Sequence, residues 1–118
     1  MRLNRAMIFV NDLPRMAEFY SGILGLRPIE STRLENYVEF ASGDVTLALH
    51  TIPDEFRCEP VSPVTLRERA PLKLSFEVAD VDMERRRLES LGVPVLPRPW
   101  GGCDAVDPEG NVFGLCCP

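Results

Sequence analysis

The chain has 118 residues, 45% apolar and 26% charged, with a net charge of −5. That is the profile of one ordinary globular domain, neither fibrous nor disordered. No apolar run approaches the roughly 18 residues that span a bilayer, and the one basic run, Arg85-Arg86-Arg87, is interleaved with Glu84 and Glu89, so neither a membrane nor a nucleic-acid partner is expected.

The N-terminus leads straight into a strand pattern without a signal peptide. Cys58, Cys103, Cys116 and Cys117 form no C-x-x-C pair, which fits reduced thiols and a cytoplasmic location.

Alternation predicts the first strand over 5–10. Asp12 caps a helix over 13–24, Pro14 sits in its first turn, and Gly25 stops it. Its buried side chains are expected to be Met16, Phe19, Tyr20 and Ile23. Strands are predicted over 27–33, 37–41 and 45–52, the last two joined by Ser42-Gly43-Asp44. The stretch 53–71 carries four prolines and reads as a long linker between units 1–52 and 72–118 of a single domain. The second unit repeats the first. A strand over 73–78 leads to the Asp80 cap, and a helix over 82–91 with an apolar stripe of Val81, Leu88 and Leu91 stops at Gly92. Strands are then predicted over 95–98, 103–106 and 112–117, the last pair joined through Asp107-Pro108-Glu109-Gly110. Asp12 to Gly25 is 13 residues and Asp80 to Gly92 is 12.

This duplicated βαβββ order resembles the vicinal oxygen chelate superfamily, which comprises glyoxalases, bleomycin resistance proteins and extradiol dioxygenases. The residues that carry the resemblance are Phe9-Val10-Asn11-Asp12-Leu13, Glu18-Phe19-Tyr20 and Leu24-Gly25-Leu26 in the first half. In the second they are Phe76-Glu77-Val78-Ala79-Asp80-Val81-Asp82, Trp100-Gly101-Gly102 and Asp107-Pro108-Glu109-Gly110-Asn111. The resemblance implies an α+β fold in which two βαβββ repeats form a curved mixed sheet around a shared cavity. It also implies a homodimer.

In metal-dependent members of that family, strands 1, 4, 5 and 8 each supply one ligand. The corresponding positions here read Arg5, Ala48, Lys73 and Gly114. Alanine and glycine have no donor atom, and arginine and lysine carry the wrong charge, so no metal and no cofactor is expected. An alternative zinc site from His50, Cys103 and Cys116 has suitable ligand types but no recognised spacing.

Alternation sends Leu47, Leu49, Leu74, Phe76, Val78, Phe113 and Leu115 toward the helices. The opposite face is expected to carry Arg5, Met7, Phe9, Tyr37, Glu39, Thr46, Ala48, His50, Lys73, Ser75, Glu77, Cys103, Ala105, Gly114 and Cys116. From these the candidate ligand-binding residues are Arg5, Glu39, His50, Lys73, Glu77, Trp100, Cys103 and Cys116. Arg5 and Lys73 either hold an anionic ligand or neutralise Glu39 and Glu77. Trp100 either stacks on a flat ligand or caps the barrel.

The expected function is metal-free binding of a small molecule, similar to the bleomycin-resistance branch. The competing reading is an enzyme, either with an atypical metal site or with metal-free acid–base chemistry. In the latter, Lys73 or His50 is the base, Arg5 stabilises an oxyanion, and Glu77 or Glu39 is the acid. A scaffold with a vestigial cavity is the third.

Overall fold

A computed structural model describes residues 1–57 and 71–118. The chain divides into two compact units, Met1–Glu59 and Pro60–Pro118, each built around its own four-stranded mixed sheet. Cys58 and most of the 53–71 linker lie outside the described residues. Within them, Asp54–Phe56 forms one 3₁₀ turn.

In the first unit, β1 (Arg5–Val10) leads into α1 (Leu13–Glu18), followed by β2 (Arg27–Pro28), β3 (Tyr37–Ser42) and β4 (Val45–Thr51). The strand order is β1-β4-β3-β2, with β1 parallel to β4 and the other pairs antiparallel. The carboxylate of Asp12 accepts the Arg15 N–H at 3.1 Å and so caps α1. The helical stretch is not uniform. After Glu18 it widens into a π-turn over Phe19–Ile23, in which Leu24 N–H bonds Phe19 O at 3.0 Å. Met16, Phe19 and Tyr20 are buried against Val10, Val38, Phe40, Leu47 and Leu49, the apolar set of this unit. Ile23 is only partly covered.

The strand predicted over 27–33 is cut to two residues. Pro28 has no N–H to extend a ladder, and Glu30–Thr32 turn into a 3₁₀ segment in which the Thr32 hydroxyl donates to Ile29 O at 3.2 Å. That local bond competes with sheet pairing.

The second unit repeats the plan with β5 (Leu74–Glu77), α2 (Val81–Ser90), β6 (Val95–Pro97), β7 (Cys103–Val106) and β8 (Val112–Cys116). Its order is β5-β8-β7-β6, with β5 parallel to β8. Asp80 caps α2 through Met83 N–H at 2.9 Å. Val81 and Leu88 are buried, but Leu91 is half exposed. It lies beyond the last full turn, where Gly92 (φ +80°) redirects the chain, so the predicted stripe ends one residue early.

The β7–β8 turn shows why Asp107 opens its motif. One carboxylate oxygen accepts the N–H groups of Glu109 (3.0 Å) and Asn111 (2.9 Å), and the other accepts Asn111 Nδ2 at 2.9 Å. Gly110 takes φ +87°, which L-residues with a Cβ avoid. Asp107 is buried, so removing its carboxylate strands two backbone donors. Asp107→Ala is expected to cost on the order of 2 kcal/mol of stability, measured by urea unfolding.

Candidate functional site

The registers fix which side chains share each sheet face. In the first unit Arg5 lies opposite Thr46, Met7 opposite Ala48, and Phe9 opposite His50. Across the other edge of β4, Glu39 lies opposite Ala48 and Tyr37 opposite His50. These residues therefore occupy the face away from α1, as alternation predicts.

Arg5 reaches diagonally over β4 and places Nη2 2.8 Å from Glu39 Oε1. The Tyr37 hydroxyl donates to the same oxygen. Ala48 lies under this crossing and leaves room for it. Glu39 is buried, and its carboxylate is satisfied by a guanidinium and a phenol, as a buried charge requires. Burial pushes the Tyr37 hydroxyl above its ordinary pKa, and the Glu39 carboxylate beside it pushes in the same direction. His50 Nδ1 lies 2.7 Å from Thr51 O, an acceptor, and so donates to it. Its ring centroid lies 5.7 Å from that of Phe9 and 6.1 Å from that of Tyr37.

The second unit has the same device in different residues. Ser75 pairs with Gly114 and Glu77 with Cys116 across β5–β8. Across β7–β8, Asp104 pairs with Gly114 and Cys103 with Leu115. Lys73, one residue before β5, crosses over Gly114 and donates from Nζ to Asp104 Oδ1 at 3.0 Å. A Cβ at Gly114 would lie 2.8 Å from Ser75 Oγ, so that hydroxyl would have to shift, and 3.5 Å from Lys73 Nζ, an ordinary contact. Arg98 donates from Nε to Asp104 Oδ2 at 2.8 Å, with Nη2 2.7 Å from the same oxygen. Nη2 is nevertheless too poorly aligned to count as hydrogen-bonded.

Asp104 is 2% exposed. Burial alone would raise its pKa, but the hydrogen bonds from Lys73 and Arg98, with their charges, hold it below the usual carboxylate range.

Several expectations are corrected here. Lys73 pairs with Asp104, not with Glu77, which is exposed on the same face. Cys103 and Ala105 do not face the site. Cross-strand pairing puts them with Leu115 and Phe113 on the apolar, helix-covered face, because Asp104 shares the face of Gly114. Cys103 is buried, donates weakly to Asp104 O at 3.4 Å, and its thiol pKa is pushed up chiefly by burial. Cys116 sits on the opposite face, exposed. Cys103 and Cys116 therefore do not converge, and the proposed zinc set falls. Among the described residues no group of three His, Cys, Asp or Glu could hold a metal.

Alternation misses Asp104 because all four β7 residues are buried and show no polarity pattern, and it misses Arg98 because that residue follows the end of β6. Hairpin arithmetic carries the signal. Val106 pairs with Val112 across the Asp107 turn, so Asp104 must face Gly114.

A cleft of about 320 Å³ opens in the second unit, lined by Lys73, Ser75, Trp100–Asp104 and Gly114–Cys117. Of the predicted set, Lys73, Trp100 and Cys116 line it, and Cys103 borders it although its pairing puts the side chain on the apolar face. Trp100 is 69% exposed. Glu77 lies outside the lining.

The acid limb of stability follows from the sign of the Asp104 shift. A carboxyl held low in the folded state contributes stability above its unfolded pKa and loses it as pH falls through the folded value. Urea unfolding is expected to show stability falling from about pH 4 downward, with a shallower fall in Asp104→Asn. Equal slopes in the two proteins would contradict the pairing.

The Glyoxalase/Bleomycin resistance protein/Dioxygenase superfamily model matches residues 2–115. No curated protein sequence matches significantly. Among solved structures, a candidate glyoxalase from Bacillus halodurans is 21% identical with a TM-score of 0.80, covering 98% of this chain and 95% of that one. TnmS3, an antibiotic binding protein from Streptomyces sp. CB03234, is 24% identical with a TM-score of 0.74 over 100% and 96%. Lactoylglutathione lyase from Agrobacterium tumefaciens is 23% identical with a TM-score of 0.68 over 97% and 91%. These likenesses are of fold. With both βαβββ units and their motifs in place, the chain belongs to the Glyoxalase/Bleomycin resistance protein/Dioxygenase superfamily.

Proposed function

We infer that this chain binds a small molecule and works without a metal ion, as an antibiotic- or metabolite-binding member of its superfamily. One observation carries the reading: in each unit a cation closes over a small residue onto a buried carboxylate, at the positions Arg5, Ala48, Lys73 and Gly114 where the resemblance implies that metal-dependent relatives hold their ligands. A divalent ion at these positions would meet a guanidinium and an ammonium and find no donor from Ala48 or Gly114. The residues do not fit the metal.

The same geometry weighs against Lys73 as a general base. A base must be free to take a proton, whereas Lys73 Nζ donates to Asp104. The likeness to an antibiotic binding protein supports the binding reading, and the cleft volume is at the lower end of the range of small-molecule sites. A homodimer in the cytoplasm belongs to this proposal. No described helix is long and apolar enough to cross a membrane.

Elemental analysis of protein purified under reducing conditions, without a metal-binding tag, tests the reading. Metal is expected far below one ion per chain, and a chelator is expected to leave Tm unchanged. A stoichiometric transition metal whose removal lowers Tm would overturn it, since a ligand bound only to the native state stabilises that state.

A further inference from the structure

We propose that the cleft of the second unit takes a flat aromatic ligand bearing one carboxylate, its acid group against Lys73 and its ring against Trp100. This rests on the small-molecule-binding reading and names the ligand class.

The charge comes from an imbalance. Among the described residues Asp104 is one carboxylate shared by two cations, Lys73 and Arg98, so these three groups together carry a net +1. Apart from its cysteines, the cleft's described lining has no ionisable residue besides Lys73 and Asp104. Asp104 is sealed at 2% exposure, whereas the Lys73 side chain keeps 27%. The negative partner is therefore buried while part of the Lys73 side chain stays exposed, and Lys73 lines the cleft. An ammonium has three N–H donors, and Asp104 Oδ1 takes one. Arg98 Nη2 adds a buried donor without a hydrogen bond behind the cluster. A second carboxylate, from the ligand, would balance the charge and receive charge-assisted hydrogen bonds. The first unit has no such surplus. There one guanidinium meets one carboxylate, with a neutral phenol completing the set.

The shape comes from the loop. Arg98 N–H bonds Gly102 O at 2.9 Å and Gly101 N–H bonds Arg98 O at 3.1 Å, a tight turn with Gly101 at φ +88°. Trp100 stands on that turn, and a Cβ at Gly102 would come within 3.1 Å of its Nε1. A large indole held on a tied turn, yet 69% exposed, is a stacking platform beside a cation. Gly101, Gly102 and Gly114 put little side-chain bulk into the cleft, which suits a planar ligand.

Trp100 is the chain's single tryptophan, so its indole N–H resonance reports the site without ambiguity. Titration with 1-naphthoate, followed by that resonance and by calorimetry, is expected to saturate. 1-Naphthylmethylammonium (same ring, opposite charge) and cyclohexanecarboxylate (same charge, no aromatic face) are each expected to bind at least tenfold more weakly. Trp100→Leu alters an exposed side chain and is expected to weaken naphthoate at least fivefold. Lys73→Met is expected to weaken it at least tenfold, and Lys73→Arg, which keeps the charge and the Asp104 pair, within threefold.

Naphthylmethylammonium binding as tightly as naphthoate would overturn the charge assignment and leave small-molecule binding standing. Unchanged affinity in Trp100→Leu would overturn the ring assignment. No saturable shift with any of the three probes would overturn the ligand class, while the metal content separately decides the metal-free reading.

Discussion

In each unit, a cation from the first strand region crosses the last strand diagonally to a buried carboxylate on the third. Arg5 reaches Glu39 over Ala48, and Lys73 reaches Asp104 over Gly114. Neither carboxylate could be buried as an ion without its cation, because an unpaired charge away from water costs several kcal/mol. Neither cation could cross if the middle residue carried a long side chain. The small residue, the carboxylate and the cation form one dependent set.

The two copies of the device differ in ways that matter chemically. In the first unit the charges cancel, and the carboxylate is completed by the Tyr37 phenol and flanked by the aromatic face of His50 and Phe9. In the second, Arg98 comes in from the strand-and-turn segment after β6 and tips the balance to positive. There the residue under the crossing is glycine, smaller than the alanine of the first unit. The same turn that positions Arg98 also presents Trp100 and borders the cleft. Duplication has produced one face on which cation and carboxylate match one to one and one on which two cations share a carboxylate.

A buried salt bridge is weak support for stability, since its Coulomb energy mainly repays desolvation. Each unit is held chiefly by its apolar face. Val10, Met16, Tyr20, Phe40 and Leu49 are almost fully buried in the first unit, as are Leu88 and Phe113 in the second. The ion pairs act instead on specificity, because they fix which side chains and which net charge the open face of each sheet presents.

Much of this is local and therefore readable along the chain. Asp12 and Asp80 cap their helices, Gly25 and Gly92 stop them at positive φ, and Asp107 ties its turn, because each needs only neighbouring atoms. Strand alternation placed Arg5, Glu39, His50, Lys73 and Gly114 on their correct faces for the same reason. It failed on β7, where every residue is buried and polarity gives no phase, so Cys103 was assigned the face that Asp104 holds. It overextended β2, where Pro28 and the Thr32 hydroxyl favour a turn. The sequence by itself determined the repeat, the sheets and the absence of metal donors at Arg5, Ala48, Lys73 and Gly114. Only tertiary structure decided the partner of Lys73. Lys73 and Asp104 are 31 residues apart in sequence and meet only because β8 pairs with β5 on one side and β7 on the other. A long-range ion pair is set by the register of three strands, and no spacing along one strand encodes it.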